Sequence, residues 1–235
     1  PNIVLNTIVA DALADFADEL ESAESFDYAV MHLVRRTIRE HRRIVFNGNN
    51  YTDEWVEEAG RRGLLNLTNA VDALARLADA PNEALFARHG VYNGAELRSR
   101  QEILLEEYAK EIRIEALTML DMVRRSILPV LAEGTRRLAE GASLKRGLGV
   151  ADAYESRALE QLSGLMAQIS DEARALDRAV AQIPAGTMLD RAAYCRDVVL
   201  ERMRALRAPV DEAELIADAR AWPFPTYAEM LFSVQ

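Results

Sequence analysis

The sequence has few of the residues that interrupt helices or cross-link chains. Its 235 residues include eleven glycines and seven prolines, below the roughly 12% that ordinary composition gives, so long uninterrupted helices are expected. The one cysteine, Cys195, excludes an internal disulfide and a zinc site built from several cysteines, and it fits a reducing compartment such as the cytoplasm. No apolar run approaches the roughly 18 residues that a membrane-spanning helix needs, so no membrane is expected as a partner.

Positive charge is also scarce. The 38 acidic residues outnumber the 28 lysines and arginines, which gives a formal net charge of −10 at pH 7. A chain of this sign is a poor partner for phosphate backbones and for anionic lipid surfaces. Half of the residues are apolar, which excludes a disordered chain. The composition therefore predicts a soluble globular protein that binds no nucleic acid.

The apolar residues recur at the spacing of helices. The chain begins at Pro1 without an initiator methionine and runs at once into an apolar segment, so we expect a piece of a longer protein. From this segment onward the apolar residues form two helical stripes, which a polar break at Glu21–Ser25 separates. The 34 residues from Ala95 to Leu128 contain no glycine or proline and predict a central helix about 51 Å long, which Pro129 bends or interrupts.

Two later stripes predict an antiparallel helical hairpin. Apolar residues repeat by threes and fours from Tyr154 to Ile183, and Pro184–Thr187 makes a short reversal. The partner stripe consists of Leu189, Ala192, Cys195, Val199, Met203 and Leu206. A separate short helix is expected from Asp211 to Arg220, after Pro209. The fold class that follows is all-α: a bundle of long amphipathic helices with this hairpin and an extended C-terminal tail rich in aromatic residues and proline.

That tail is the candidate binding segment. It concentrates four aromatic residues in eleven positions, and such a cluster would be a sticky patch in water. We expect it to dock either on its own bundle or on a neighbouring subunit. The candidate docking residues are Trp222, Pro223, Phe224, Pro225, Tyr227 and Phe232.

No catalytic or metal-binding constellation stands out. The three histidines, His32, His41 and His89, lack the spacing that places two ligands on one helix face, so no metal site is expected. Cys195 lies on an apolar stripe, which favours a packed and inert thiol. The loop at Asn47–Asn50 has one glycine and no following Lys-Ser or Lys-Thr, so its signal as a nucleotide loop is weak.

Five arginines gather near the end of the second helix. They are Arg35, Arg36, Arg39, Arg42 and Arg43. Cations are favourable at the negative end of the helix dipole, so helix capping or an intersubunit salt bridge is the preferred interpretation, with an anion site as the alternative.

Several segments together resemble a known family. They are residues 1–10 (PNIVLNTIVA), 43–55 (RIVFNGNNYTDEW), 62–67 (RGLLNL), 99–106 (SRQEILLE), 114–119 (IEALTM), 222–227 (WPFPTY) and 230–232 (MLF). They run in order through nearly the whole chain, and in that order they resemble the C-terminal part of type III glutamine synthetases.

The resemblance implies a parent enzyme that joins ammonia to glutamate with ATP and magnesium or manganese. It implies that the metal-binding glutamates, the phosphate-binding arginines and the ATP site precede Pro1, so this chain would hold no catalytic residue and no cofactor. Residues 1–22 would be the last helix of the catalytic domain, 23–220 a helical extension and 221–235 a docking tail. The partners would be other subunits of the same protein in a cytoplasmic homo-oligomer.

Two functions follow as hypotheses. In the first, the chain serves oligomer assembly or structural support in a glutamine synthetase and is inactive by itself. The alternative is a free-standing helical adaptor or scaffold domain that offers a helix face to a protein partner.

Overall fold

A computed structural model describes residues 2–225 and 227–232, with the side chains of Tyr227 and Ala228 left aside. Within these ranges all regular structure is helical and no strand occurs, so the predicted all-α class is confirmed. None of the helices within residues 2–225 and 227–232 combines the length and the hydropathy of a membrane-spanning segment.

The α-helices follow one another with short connections. They are α1 (Asn2–Glu21), α2 (Phe26–Glu40), α3 (Asp53–Arg61), α4 (Ala70–Ala75), α5 (Ala80–Arg88), α6 (Gly94–Met122), α7 (Leu128–Gly147), α8 (Ala153–Ala181), α9 (Met188–Tyr194), α10 (Leu200–Ile216) and α11 (Tyr227–Phe232). A 3-10 turn follows α2 at Arg42–Ile44, and π-helical turns at Val123–Ile127 and Cys195–Val199 join α6 to α7 and α9 to α10. The described residues divide into two compact units on either side of the Leu104–Leu105 bond.

The first unit is connected by ion pairs between helices. Arg36 of α2 reaches Glu19 of α1, with Nη2 2.5 Å from Oε2. Arg88 at the end of α5 pairs with Asp11 and Asp15 of α1, at 2.9 and 2.6 Å. Few large side chains are buried in this unit, so these pairs help to set how α2 and α5 lie against α1.

The second unit is built on the apolar face of α8. The stripe predicted from the sequence is the buried face of this helix, with Ile169 and Leu176 fully buried. The exception is Tyr154, which is 71% exposed at the start of α8. The face packs against α7 on one side and α10 on the other.

Helices α7 and α8 run antiparallel. Thr135 early in α7 contacts Met166 in the middle of α8, whereas Lys145 late in α7 pairs with Glu155 at the start of α8. Sequence position therefore rises along one helix as it falls along the other.

Pro129 does not interrupt the central helix, so of the two predicted outcomes the interruption is wrong and the bend stays a prediction. The chain stays helical from Gly94 to Gly147, and the π-helical turn Val123–Ile127 immediately precedes the proline region. In a regular α-helix the proline ring collides with the carbonyl four residues earlier, which here belongs to the π turn with its different backbone geometry. Buried side chains flank the proline on both sides, namely Val123, Ile127 and Leu131. Their packing stabilises the helical conformation through this region.

Pro209 does not end its helix either. Helix α10 continues through it to Ile216, so the separate helix expected from Asp211 to Arg220 does not exist. A proline inside a helix costs about 3 kcal/mol. Leu206 and Ala213 are fully buried on either side and Pro209 is itself buried, and this burial outweighs the cost.

The contact between α7 and α8 gives a prediction for pH dependence. The hydrogen bond from Lys145 lowers the pKa of the Glu155 carboxyl, so the pair stabilises the fold above the ordinary glutamate pKa. That stabilisation is lost as the pH falls through the lowered pKa. Glu155→Gln is therefore expected to lower the free energy of unfolding at pH 7 and to change it much less near pH 2, measured by urea unfolding.

Glu160→Gln serves as the matched control, because Glu160 is an exposed residue of α8 with no ion pair in the described part of the chain. An equal loss of stability from both substitutions at pH 7 would contradict the role assigned to the Lys145–Glu155 pair.

Candidate functional site

The aromatic tail begins with a tight turn. Helix α10 ends at Ile216, and the carbonyl of Asp218 accepts hydrogen bonds from the backbone N–H groups of Ala221 and Trp222 at 2.9 and 3.1 Å. The Asp218 carboxylate also accepts a bond from the Arg220 N–H at 3.0 Å. The aspartate thus closes the turn from which the aromatic segment departs.

Trp222 and Phe224 pack against the core of the second unit. Both side chains are half-buried, and their rings meet edge to face with centroids 6.4 Å apart and planes at 76°. This geometry suits the ring quadrupoles. Pro223 and Pro225 are exposed on either side of Phe224, and their fixed φ angles limit the backbone freedom lost on docking. The first half of the tail is therefore anchored on its own bundle.

A cavity of about 500 Å³ lies next to Phe224. Its walls include Met119 and Met122 of α6 and Met203 and Val210 of α10. Methionine side chains adapt to irregular shapes, so this surface could accommodate further apolar groups.

The second half of the tail is exposed. Met230, Leu231 and Phe232 in α11 are 54, 73 and 78% exposed. The side chain of Tyr227 lies outside the described residues. The structure thus places Trp222 and Phe224 on the bundle and Phe232 in solvent, and the docking role of the tail stays a prediction.

A second apolar surface lies on α1, in the segment that the sequence marks as apolar but to which it assigns no binding role. The residues that form it are Ile3, Val4, Leu5, Ile8, Val9 and Leu13, with exposures from 37 to 59%. Its signal in the sequence was the run of consecutive apolar residues at 3–5 and 8–9, which cannot all lie on one narrow helix face. Exposed apolar side chains grouped on one helix are typical of an interaction site.

The three histidines lie apart. His89 Nε2 is 2.8 Å from Asp11 Oδ1, His32 stacks on Tyr28, and His41 caps the end of α2. Among the residues that the structure describes, no three His, Cys, Asp or Glu side chains are grouped so as to hold a metal ion.

Cys195 is buried in the core of the second unit. Its Sγ is 3.8 Å from the carbonyl oxygen of Ala109, and burial raises the pKa of the thiol. A raised pKa disfavours the reactive thiolate, as expected for a packed cysteine.

The arginine cluster has two parts. Arg36 forms the internal pair with Glu19, whose hydrogen bond raises the pKa of the guanidinium, so this arginine forms a salt bridge within one chain. The side chains of Arg35, Arg39, Arg42 and Arg43 have no hydrogen-bond or ion-pair partner among the described residues.

The two halves of the tail give a paired prediction. Trp222→Ala is expected to lower the free energy of unfolding by about 2 kcal/mol, because the ring is half-buried. Replacing a fully buried aromatic side chain by alanine costs more, about 3–5 kcal/mol. Phe232→Ala is expected to change it by less than about 0.5 kcal/mol, because that ring is exposed. Chemical denaturation of both variants tests this, and similar losses would contradict the division of the tail.

Comparison with known proteins places this chain in a family. Residues 29–146 match the family model described as glutamine synthetase C-terminal domain. The chain is 36% identical over 217 residues to a glutamine synthetase of Butyrivibrio fibrisolvens, covering 91% of this chain and 31% of that protein. It is 31% identical over 244 residues to the type-3 glutamine synthetase of Dictyostelium discoideum, covering 99% of this chain and 33% of that protein.

A third relative, a glutamine synthetase of Bacteroides fragilis (strain YCH46), is 26% identical over 243 residues, covering 98% of this chain and 33% of the relative. The chain thus spans about a third of the length of these curated relatives. The match to the family model and the relatives confirm the resemblance found in the sequence: the chain belongs to the glutamine synthetase C-terminal domain family.

Proposed function

We propose that this chain is the helical C-terminal portion of an ATP-dependent glutamate–ammonia ligase and that it serves subunit assembly or structural support rather than catalysis. The observation that carries the proposal is the apolar surface of α1, where six large side chains between Ile3 and Leu13 are each more than a third exposed. Leaving such a surface in water is unfavourable, so a partner surface is expected to cover it.

The covering surface for α1 is the catalytic domain of the same enzyme. In this assignment residues 1–22 form the last helix of that domain, 23–220 form the helical extension and 221–235 form the docking tail. Helix α1 ends at Glu21, next to this proposed boundary, and its ion pairs with Arg36 and Arg88 are then contacts between the last catalytic helix and the extension.

The extension is organised around an antiparallel hairpin. One arm is α8, and the other is the continuous helical segment formed by α9, the π-helical turn Cys195–Val199 and α10. Arg202 of α10 lies 3.7 Å from Glu172 of α8, and the buried faces of the two helices meet in one core. A hairpin of this length is a rigid arm, which suits a part that holds subunits at a fixed separation.

The tail joins the arm to a neighbouring subunit. Trp222 and Phe224 anchor its first half, so little entropy remains to be lost when the second half docks. Met230, Leu231 and Phe232 then supply the apolar contact to another copy of the same protein in a homo-oligomer.

Catalysis belongs to the portion of the enzyme that precedes this chain. There, ATP and magnesium or manganese would serve the joining of ammonia to glutamate, with the metal ions and arginines neutralising the transferred phosphoryl group. This chain holds no catalytic residue and no cofactor in the proposal, and the whole enzyme is cytoplasmic.

The role of the tail is tested in the full-length enzyme. The double substitution Leu231→Asp/Phe232→Asp is expected to lower the oligomer mass measured by multi-angle light scattering, because it buries two carboxylates in an apolar contact. Leu215→Asp is the matched control, since Leu215 is 87% exposed in α10 and lies outside the tail. An unchanged mass in the tail variant would leave the tail as an intramolecular anchor only.

The absence of catalysis is tested with the purified chain. Supplied with glutamate, ammonia, ATP and magnesium or manganese, it is expected to form no glutamine, whereas the full-length enzyme forms it under the same conditions. Detection of glutamine made by the chain, by amino-acid analysis, would refute the proposed division between catalytic and structural parts.

A further inference from the structure

The first unit contains an open cavity that the assembly role does not use. It has a volume of about 650 Å³ and lies between the end of the 3-10 turn and α3. Its walls include Arg42, Arg43, Phe46, Asn47, Gly48 and Arg62. Small-molecule sites have volumes of about 300–1,000 Å³, so the cavity is of suitable size.

Arg62 fixes the wall of this cavity. Its guanidinium lies over the rings of Phe46 and Trp55, 6.0 and 5.7 Å from their centroids. Its Nη1 donates to the carbonyl oxygen of Val45 at 2.7 Å, and its Nε donates to the Glu58 carboxylate at 2.6 Å. Arg62 therefore ties the chain after the 3-10 turn to α3, and that chain carries the neighbouring arginines.

The loop at Gly48 is closely packed on the same wall. A Cβ added at Gly48 would lie 2.5 Å from two atoms of the Phe46 ring. The loop backbone thus lies close to the aromatic ring, and a larger residue at position 48 would require the Phe46 ring to shift. The cavity is therefore bounded by a set arrangement of ring and backbone.

Arg42 and Arg43 are among the residues that line this cavity. Their side chains have no hydrogen-bond or ion-pair partner among the described residues. Glu54 is the one carboxylate among the described residues that line the cavity, and Glu58 is ion-paired with Arg61 and Arg62. The cavity thus has an excess of guanidinium groups beside open volume.

We propose that this cavity binds a small anion with a carboxylate or phosphate group, held by the guanidinium groups of Arg42 and Arg43. A guanidinium donates two parallel hydrogen bonds to either kind of oxyanion. The volume exceeds that of a single oxyanion group, and the Phe46 ring offers an apolar contact for the rest of the ligand. The site lies within this chain alone and does not depend on the proposed assembly role.

The test uses the 235-residue chain with the substitution Trp222→Phe, so that Trp55 next to Arg62 is the remaining tryptophan reporter. Inorganic phosphate and glutarate are titrated in separate arms, and sodium chloride at equal ionic strength measures general screening. A saturable change in Trp55 fluorescence is expected in at least one arm, and the arm that saturates identifies the oxyanion.

Two double substitutions with equal change of net charge separate the site from general electrostatics. Arg42→Gln/Arg43→Gln is expected to weaken binding about tenfold or more, equivalent to about 1.4 kcal/mol. Arg35→Gln/Arg39→Gln, which removes two exposed arginines of α2 outside the cavity, is expected to change it by less than about twofold. Circular dichroism checks that each variant is folded. If the glutamine variant is unfolded, Arg42→Lys/Arg43→Lys replaces it, because lysine keeps the positive charge but lacks the planar guanidinium group.

The proposal is overturned if neither anion gives a response beyond that of sodium chloride. It is also overturned if the α2 control weakens binding as much as the cavity variant. Both results leave the oligomer mass of the full-length enzyme unaffected, so failure of the anion site and failure of the assembly role are distinguishable.

Discussion

The burial of one face of α8 is the constraint on which the second unit depends. Each fully buried aliphatic side chain contributes about 1.5–3 kcal/mol relative to exposure, and α8 places Leu162, Ile169 and Leu176 at nearly complete burial. Helices α7 and α10 are held on either side of it. Because this packing is so extensive, it retains helical structure through Pro129 and Pro209, where local preference would end it.

The α8 stripe could be predicted from the sequence because it depends on local spacing, and a helix with one buried face repeats its apolar residues regularly. The outcome at the two prolines could not, because it is decided by side chains that are distant in the sequence. Cys195 illustrates the same point, since its helical face was predictable but its neighbour, the Ala109 carbonyl, was not. The packing of Trp222 and Phe224 on the bundle follows from composition only in the general sense that exposed aromatics need a partner.

The arginine-lined cavity could not be predicted from sequence patterns, for a different reason. The sequence gives five arginines near one helix end, and the helix dipole suggests a common role for them. Tertiary structure divides them instead: Arg36 pairs with Glu19, whereas Arg42 and Arg43 line a cavity that Arg62 also lines. A residue nineteen positions further along the chain sets this arrangement by its bond to the Arg43 carbonyl.

The π-helical turns at Val123–Ile127 and Cys195–Val199 have a consequence for chain length. A hydrogen bond from residue i+5 instead of i+4 encloses one extra residue, so each turn absorbs a surplus position without rotating the buried face away from its partners. Homologues that are one residue shorter or longer at these two places can therefore keep the same core by exchanging a π turn for a regular one. Sequence alignments of such chains would show a single-residue gap within a continuous helix. A gap of this kind is ordinarily taken as the sign of a loop.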